Sequence, residues 1–373
     1  MIKTSLVFQI LKSKINKAIG RPLPVKLAVA LTFLCNSKCK TCNIWKVYNE
    51  SPGRIKEELT TEDWKELFDE IGTNLGWIDF TGGEPTLKKD VEDIVTYAYN
   101  NTAISIGSLT TNAILAKRSL QKIEKIVHKI PRNKAFNIIV SLDGVSSTHD
   151  EIRGVKGNFE KVIWLFNELK TLKKQYSNLN VSFGYTISEY NAGKFREFYH
   201  FLKKNHVSLR DIIPTLEHFT EYYGKNFNEN SYESFKKDLL DDVNYYLKIL
   251  NNETRSENII HKIKSSFYRF YSKNIVTFLN DPQKMIIPCI AATFSALIDP
   301  YGNVYPCTQW NIRLGNLKEK NFREIWWGAS ATNVRNLMER QECPNCWTLC
   351  EAQPNWILGS GPMRWISYIT KAC

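Results

Sequence analysis

Residues 25 to 42 read VKLAVALTFLCNSKCKTC. The first nine form a β-like run, and the last eight hold Cys35, Cys39 and Cys42 at C-x3-C-x2-C spacing. A strand that delivers three thiolates from its carboxyl end lets a short loop wrap one side of a metal cluster. One iron is then left without a protein ligand and open to an outside molecule, as the fourth position of catalytic zinc is. On spacing alone, a zinc ion completed by a distant residue is the other reading.

Outward from this stretch the chain alternates strand-like and helix-like segments. GWIDFTG, AISIGSLTT, FNIIVSLDG, NVSFGYTIS and LRDIIPT follow as strands, and TEDWKELFDEIG, KKDVEDIVTYAYN and others lie between them as helices. Thr60 or Thr61 caps the first helix, with acids in its first turn. Six β-α alternations predict an α/β fold with a parallel sheet and right-handed crossovers. Periodicity alone does not choose between a partial barrel and a doubly wound sheet. The expected organisation is an N-terminal helix (1–24), the α/β domain (25–215), a helical connector rich in Tyr, Asn and Lys (216–281) and a smaller α+β domain (282–373).

The chain has 373 residues, nine cysteines and a formal net charge of +12. An odd, clustered cysteine count without an export signal argues against a secreted disulfide framework and for reduced thiols in cytosol. No run of eighteen apolar residues occurs, so no transmembrane helix is expected. The positive charge favours an anionic partner such as nucleic acid, lipid headgroups or an acidic peptide, without naming one. The N-terminal segment reads as a basic amphipathic helix with Ile2, Leu6, Ile10, Ile15 and Ile19 toward one side. Such a helix packs on the domain behind it or lies on an anionic membrane surface.

TGGEP (Thr81 to Pro85) ends the second strand, and alone it is a tight turn before a helix. Together with C-x3-C-x2-C one strand earlier, it resembles the radical SAM superfamily. LTTNA (Leu109 to Ala113) resembles that family's third-strand motif, with Ala113 in place of glycine. SLDG (Ser141 to Gly144) with HDEIRG (His149 to Gly154), and YTIS (Tyr185 to Ser188), continue the likeness across the first domain. The resemblance implies a six-stranded partial (β/α)6 TIM-like barrel. It implies a [4Fe-4S] cluster on Cys35, Cys39 and Cys42 whose fourth site takes S-adenosylmethionine. It further implies reductive cleavage to a 5′-deoxyadenosyl radical that abstracts hydrogen from substrate, and contacts to S-adenosylmethionine from Gly82, Gly83, Glu84, Asn112, Ser141, Arg153 and Ile187. The residue before the third cysteine is commonly aromatic in the family. Here it is Thr41, which leaves Ile44 or Trp45 to cover that side of the adenine.

The remaining cysteines cluster near the other end. Cys289, Cys307 and the pair Cys343 and Cys346 compose a four-thiolate set, for which zinc is the simplest occupant. Their order around Gly302 to Cys307 and LGNL (Leu314 to Leu317) resembles the SPASM and twitch domains. That likeness implies one auxiliary [4Fe-4S] cluster, with Cys350 as the substitute ligand and Cys373 as a free thiol. The histidines have no partners at ligand spacing, and His149 reads as a loop residue.

No acid, base or second radical residue is identified. The expected partners are a reductant such as ferredoxin or flavodoxin and a substrate. A lipid at the cytoplasmic face of the inner membrane is the first expectation for that substrate, since the N-terminal helix occupies the place of a leader-recognition domain. A peptide or protein is second; a small molecule and nucleic acid remain compatible with the charge. The contrasting reading is a non-enzymatic protein with two structural zinc sites.

Overall fold

The computed structural model describes residues 4–217, 219–220, 232–253 and 259–359. Helix α1 (Thr4–Ala18) precedes β1 (Lys26–Thr32), and α2 (Lys46–Glu50) and α3 (Thr61–Ile71) lead to β2 (Trp77–Gly82). Then come α4 (Val91–Asn101), β3 (Ile106–Thr111), α5 (Ala116–Lys129) and β4 (Ala135–Ser141). Helices α6 (Ser147–Arg153) and α7 (Asn158–Gln175) precede β5 (Leu179–Ile187), and α8 (Phe195–Lys204) precedes β6 (Ile212–Leu216). Helices α9 (Lys236–Glu253) and α10 (Ile259–Asn280) form the connector. Strands β7 (Ser295–Ile298), β8 (Asn303–Tyr305) and β9 (Gly315–Asn316), then α11 (Phe322–Trp327), α12 (Ala329–Glu339) and α13 (Leu349–Pro354), complete the described chain.

Strands β1 to β6 pair in parallel in sequence order, as the six alternations predict for a parallel sheet and as the resemblance implies for a partial barrel. The sheet continues past the expected boundary at residue 282. Strand β7 pairs in parallel with β1, matching Lys26 to Ser295, and β8 and β9 extend it antiparallel. One nine-stranded sheet therefore carries both cysteine-bearing regions.

Strand alternation sorts the side chains onto two faces. Leu27, Val29, Ile78, Phe80, Ile138 and Phe183 are buried in the core that also holds Trp64 and Phe68 of α3, Ile94 of α4 and Phe166 of α7. Phe166 stacks on Phe183 with centroids 3.8 Å apart, and Tyr185 stacks on Phe198 of α8 at 4.4 Å. Each such side chain stabilises the fold by about 1.5–3 kcal/mol. The opposite face is half-exposed and largely polar, carrying Asp79, Thr81, Thr110, Asn137, Ser182 and Thr186, with Ile139 and Ile213 among them. Thr60 caps α3 through a reciprocal capping box with Asp63.

Helix α1 departs from its expected orientation. Leu6 packs with Val25, Ile290, Phe294 and Leu358, and Ile10 lies against them, whereas Ile15 and Ile19 face solvent. The step from Ile10 to Ile15 turns the helix by about 140°, so the two pairs cannot share a face. Ile2 lies outside the described residues.

Candidate active site

The loop after β1 is clasped from two sides by backbone. Gly83 N–H donates to the Thr32 carbonyl at 2.7 Å, and Glu84 N–H to the Leu34 carbonyl at 2.8 Å. A Cβ on Gly82 (φ +121°) would stand 2.3 Å from the Thr32 oxygen, so this approach requires glycine. On the other side, Lys38 and Lys40 N–H donate to the carbonyls of Arg153 (3.0 Å) and Ile152 (2.8 Å), at the end of α6. Gly154 (φ +65°) ends that helix where a Cβ would meet the Lys38 oxygen at 2.6 Å. The quoted motifs are thus two backbone jaws that hold the cysteine loop.

Glu84 does not extend toward the loop's thiols as a free charge. Its carboxylate accepts from Asn112 N–H (2.6 Å), the Thr111 hydroxyl (2.9 Å), and Thr86 N–H and hydroxyl (3.2 and 2.6 Å). Burial raises its pKa and these donors oppose the rise. It ties the end of β2 to the end of β3.

Asn112 projects from that junction, with Nδ2 2.9 Å from Asn36 Oδ1 and 3.8 Å from Cys35 Sγ. Ala113 adopts φ +59°, the left-handed backbone that a glycine would take there without strain. Ser141 ends β4 on the polar face, paired with Gly184. Ile187 is buried in the helix-side core, while its neighbour Thr186 lies on the polar face and donates its N–H to Asp143 Oδ1 at 3.0 Å. Ile44 packs with Phe33, Val47, Tyr48 and Tyr301, and Trp45 stays half-buried with an unpartnered Nε1.

Arg153 bridges two groups. One Nη is 2.6 Å from Asp143 Oδ2, and the other is 3.6 Å from Cys39 Sγ. Its Nε is a buried donor without a partner. His149, completely buried, accepts the Asp143 N–H on Nδ1 at 3.1 Å. The neutral ring therefore carries its proton on Nε2, and the Asn158 side chain 3.0 Å away accepts it when its amide oxygen, rather than its nitrogen, faces the ring. Burial pushes the His149 pKa down to about 3. His149, expected as a loop residue, lies buried within α6, and the sequence does not single out Asp143 or Asn158. Asp143 lay within SLDG, but nothing in residue spacing pairs it with Arg153 or places His149 behind it.

The three loop thiols suit a cluster. Burial raises Cys35 and Cys42 to about 12, so thiolates there require a cation, and metal binding releases their protons. Three thiolates, the Arg153 Nε and the Asn112 amide match a site-differentiated cluster with an amino-acid ligand beside it.

Cys289, Cys307, Cys343 and Cys346 line a second pocket with Trp310, Met338 and Glu351. Burial raises Cys289 to about 12 and Cys307 and Cys346 well above their ordinary value. Among the described residues, no three His, Cys, Asp or Glu side chains draw together as a single metal ion requires. Cys350 stands apart from this lining, exposed, and its carbonyl accepts from Lys26 Nζ at 2.7 Å. Cys373 lies outside the described residues.

A parallel partial barrel with a thiolate loop at the carboxyl end of its first strand, joined to a second thiol-lined space, defines a class of iron–sulfur enzyme. The comparisons agree. The Radical SAM superfamily model matches residues 29–202, and the SPASM iron-sulfur cluster-binding domain matches 289–348. This chain carries a radical SAM domain and a C-terminal SPASM domain. It is an enzyme that uses a [4Fe-4S] cluster with S-adenosylmethionine and auxiliary iron–sulfur chemistry, which sets aside the non-enzymatic zinc reading.

The AdoMet-dependent heme synthase of Methanosarcina barkeri is 24% identical over 350 residues, 88% of each chain. The sporulation killing factor maturation protein SkfB of Bacillus subtilis is 30% identical over 171 residues, 46% of this chain and 37% of SkfB. The solved structure of Streptococcus suis SuiB bound to precursor peptide SuiA superposes with a TM-score of 0.56 at 17% identity. It covers 86% of this chain and 69% of SuiB.

Proposed function

We propose that this radical SAM enzyme modifies a peptide or protein segment that lies along the polar face of its barrel. The observation that carries this reading is the composition of that face. Thr81, Thr110, Asn137, Ser182 and Thr186 are polar and half-exposed and suit backbone amides, with Ile139 and Ile213 beside them on the same face to receive an apolar side chain. Lys26, a cation on the same face, is buried and paired with Asp79 at 3.1 Å, which leaves it a poor receiver for porphyrin carboxylates. SkfB is a maturation protein, and SuiB has been solved with a precursor peptide; both relatives support the peptide reading.

Cys35, Cys39 and Cys42 would hold the cluster, and Cys289, Cys307, Cys343 and Cys346 an auxiliary one. Bound at the first set, the cluster and S-adenosylmethionine supply a one-electron cleavage that leads to hydrogen abstraction from substrate. The chain's own residues position this chemistry. The glycine-rich turn after β2 and the end of α6 fix the loop, Asn112 orients an amide toward Cys35, and Arg153 offers Nε to a carboxylate. A reductant such as flavodoxin or ferredoxin supplies the electron.

Deuterium tracing tests this reading. Reconstituted protein is incubated with S-adenosylmethionine and a reductant, together with either a perdeuterated peptide digest or perdeuterated phospholipid. Deuterium in 5′-deoxyadenosine is expected from the digest. Label from the phospholipid instead, or from neither pool, overturns the proposal.

A further inference from the structure

Helix α1 turns a mixed side to the protein, with Gln9 and Ser13 beside Leu6 and Ile10. Gln9 donates to the Ala103 carbonyl at 2.6 Å and the Ser13 hydroxyl to the Leu23 carbonyl at 2.7 Å, both from buried positions. Its outer side instead shows Phe8, Leu11, Ile15 and Ile19, which are 75%, 55%, 64% and 67% exposed. Four of the seven large apolar side chains exposed among the described residues therefore fall on this one stripe. At about 100° per residue these positions share an arc less than a quarter-turn wide, with Lys12 and Lys14 on either side of it.

Helix α1 carries Lys12, Lys14 and Lys17, with Arg21 just beyond it, and residues 1 to 25 contain no aspartate or glutamate. Lys17, away from the stripe, meets Glu339 at 3.8 Å. A narrow apolar stripe flanked by lysines in an acid-free stretch complements an anionic lipid surface, where the apolar side chains enter the acyl boundary and the ammonium groups reach the phosphates.

We infer that α1 docks this protein on anionic membranes through Phe8, Leu11, Ile15 and Ile19. The helix contacts the amino ends of the barrel strands, since Gln9 meets Ala103 before β3 and Leu6 meets Val25 before β1. The cysteine loop lies at the opposite, carboxyl end of strands about 20 Å long. Docking therefore turns the catalytic end toward water and away from the bilayer. This inference stands independently of the substrate reading.

Co-sedimentation of the full chain with phosphatidylcholine vesicles, with and without phosphatidylglycerol, tests it. Binding is expected only with phosphatidylglycerol, weakened by high salt, and reduced about tenfold or more in Leu11→Gln/Ile15→Gln. The control Leu115→Gln, exposed elsewhere, should bind as wild type, and circular dichroism should show both variants folded. Binding that ignores phosphatidylglycerol or survives the double substitution overturns the inference. So does self-association in ultracentrifugation that the double substitution abolishes, which would make a second copy the occupant. Vesicle binding that appears only after residues 360–373 are deleted would assign the stripe to that segment and equally overturn it.

Discussion

The Arg153 guanidinium sits between a carboxylate and a thiol, 2.6 Å from Asp143 Oδ2 and 3.6 Å from Cys39 Sγ. This pair joins the loop after β4 to the loop after β1. Replacing Arg153 by Leu leaves the buried Asp143 carboxylate without its cation, at a cost of about 3–5 kcal/mol. Urea unfolding should show that loss, and Arg153→Lys should recover only part of it, because an ammonium cannot reach both partners in the planar geometry of a guanidinium.

Gly82→Ala tests the jaw on the β2 side. Its methyl would stand 2.3 Å from the Thr32 carbonyl oxygen at a backbone angle of +121°. Destabilisation of at least about 2 kcal/mol is expected, together with loss of iron from the first cluster, measured by iron and sulfide analysis after anaerobic reconstitution.

His149 makes stability depend on pH. Its folded pKa of about 3 lies below the ordinary 6.5, so the folded chain binds fewer protons than the unfolded one between those values. The contribution is complete above pH 6.5 and falls away below it, by up to about 1.4 kcal/mol per pH unit. Between pH 6.5 and 5 the cluster-free wild type should lose about 2 kcal/mol more than His149→Gln in urea titrations. Parallel pH curves for the two proteins would remove His149 from this account.

The thiol-lined space makes a split among cysteines. Cys346→Ser should lower iron from about eight to about four per chain, because Cys346 lines the space with Cys289 and Cys307. Cys350→Ser should leave iron content and visible absorption unchanged, since Cys350 lies outside that lining.

Ala113→Gly should change stability by less than about 1 kcal/mol. Relief of the left-handed strain at φ +59° is offset by the lost methyl burial and the greater freedom of glycine in the unfolded chain. Thermal unfolding measures the difference.

Much of the site was legible because its parts are local. Three cysteines within eight residues, two glycines after a strand and an arginine at a helix end each declare their chemistry through residue type and spacing. The structure adds how they meet. Glu84 is drawn away from the loop into a knot with Thr86, Thr111 and Asn112, and Ile187 turns its side chain into the core. Neither outcome is encoded at short range, because each depends on which neighbouring strand end supplies donors or packing.

The amino-acid sequence by itself determined the parallel β-α units, the two thiolate sets and the class of chemistry, since such units and metal ligands leave short, type-specific signatures. Only the tertiary structure decided that β7 joins β1 in one sheet. It also decided that Asp143 answers Arg153 and that α1 shows its apolar stripe to solvent. These relations link residues far apart in the chain, or turn on one helix's rotation about its axis. A period of 3.6 residues defines the faces of that helix, and only packing settles which face is covered.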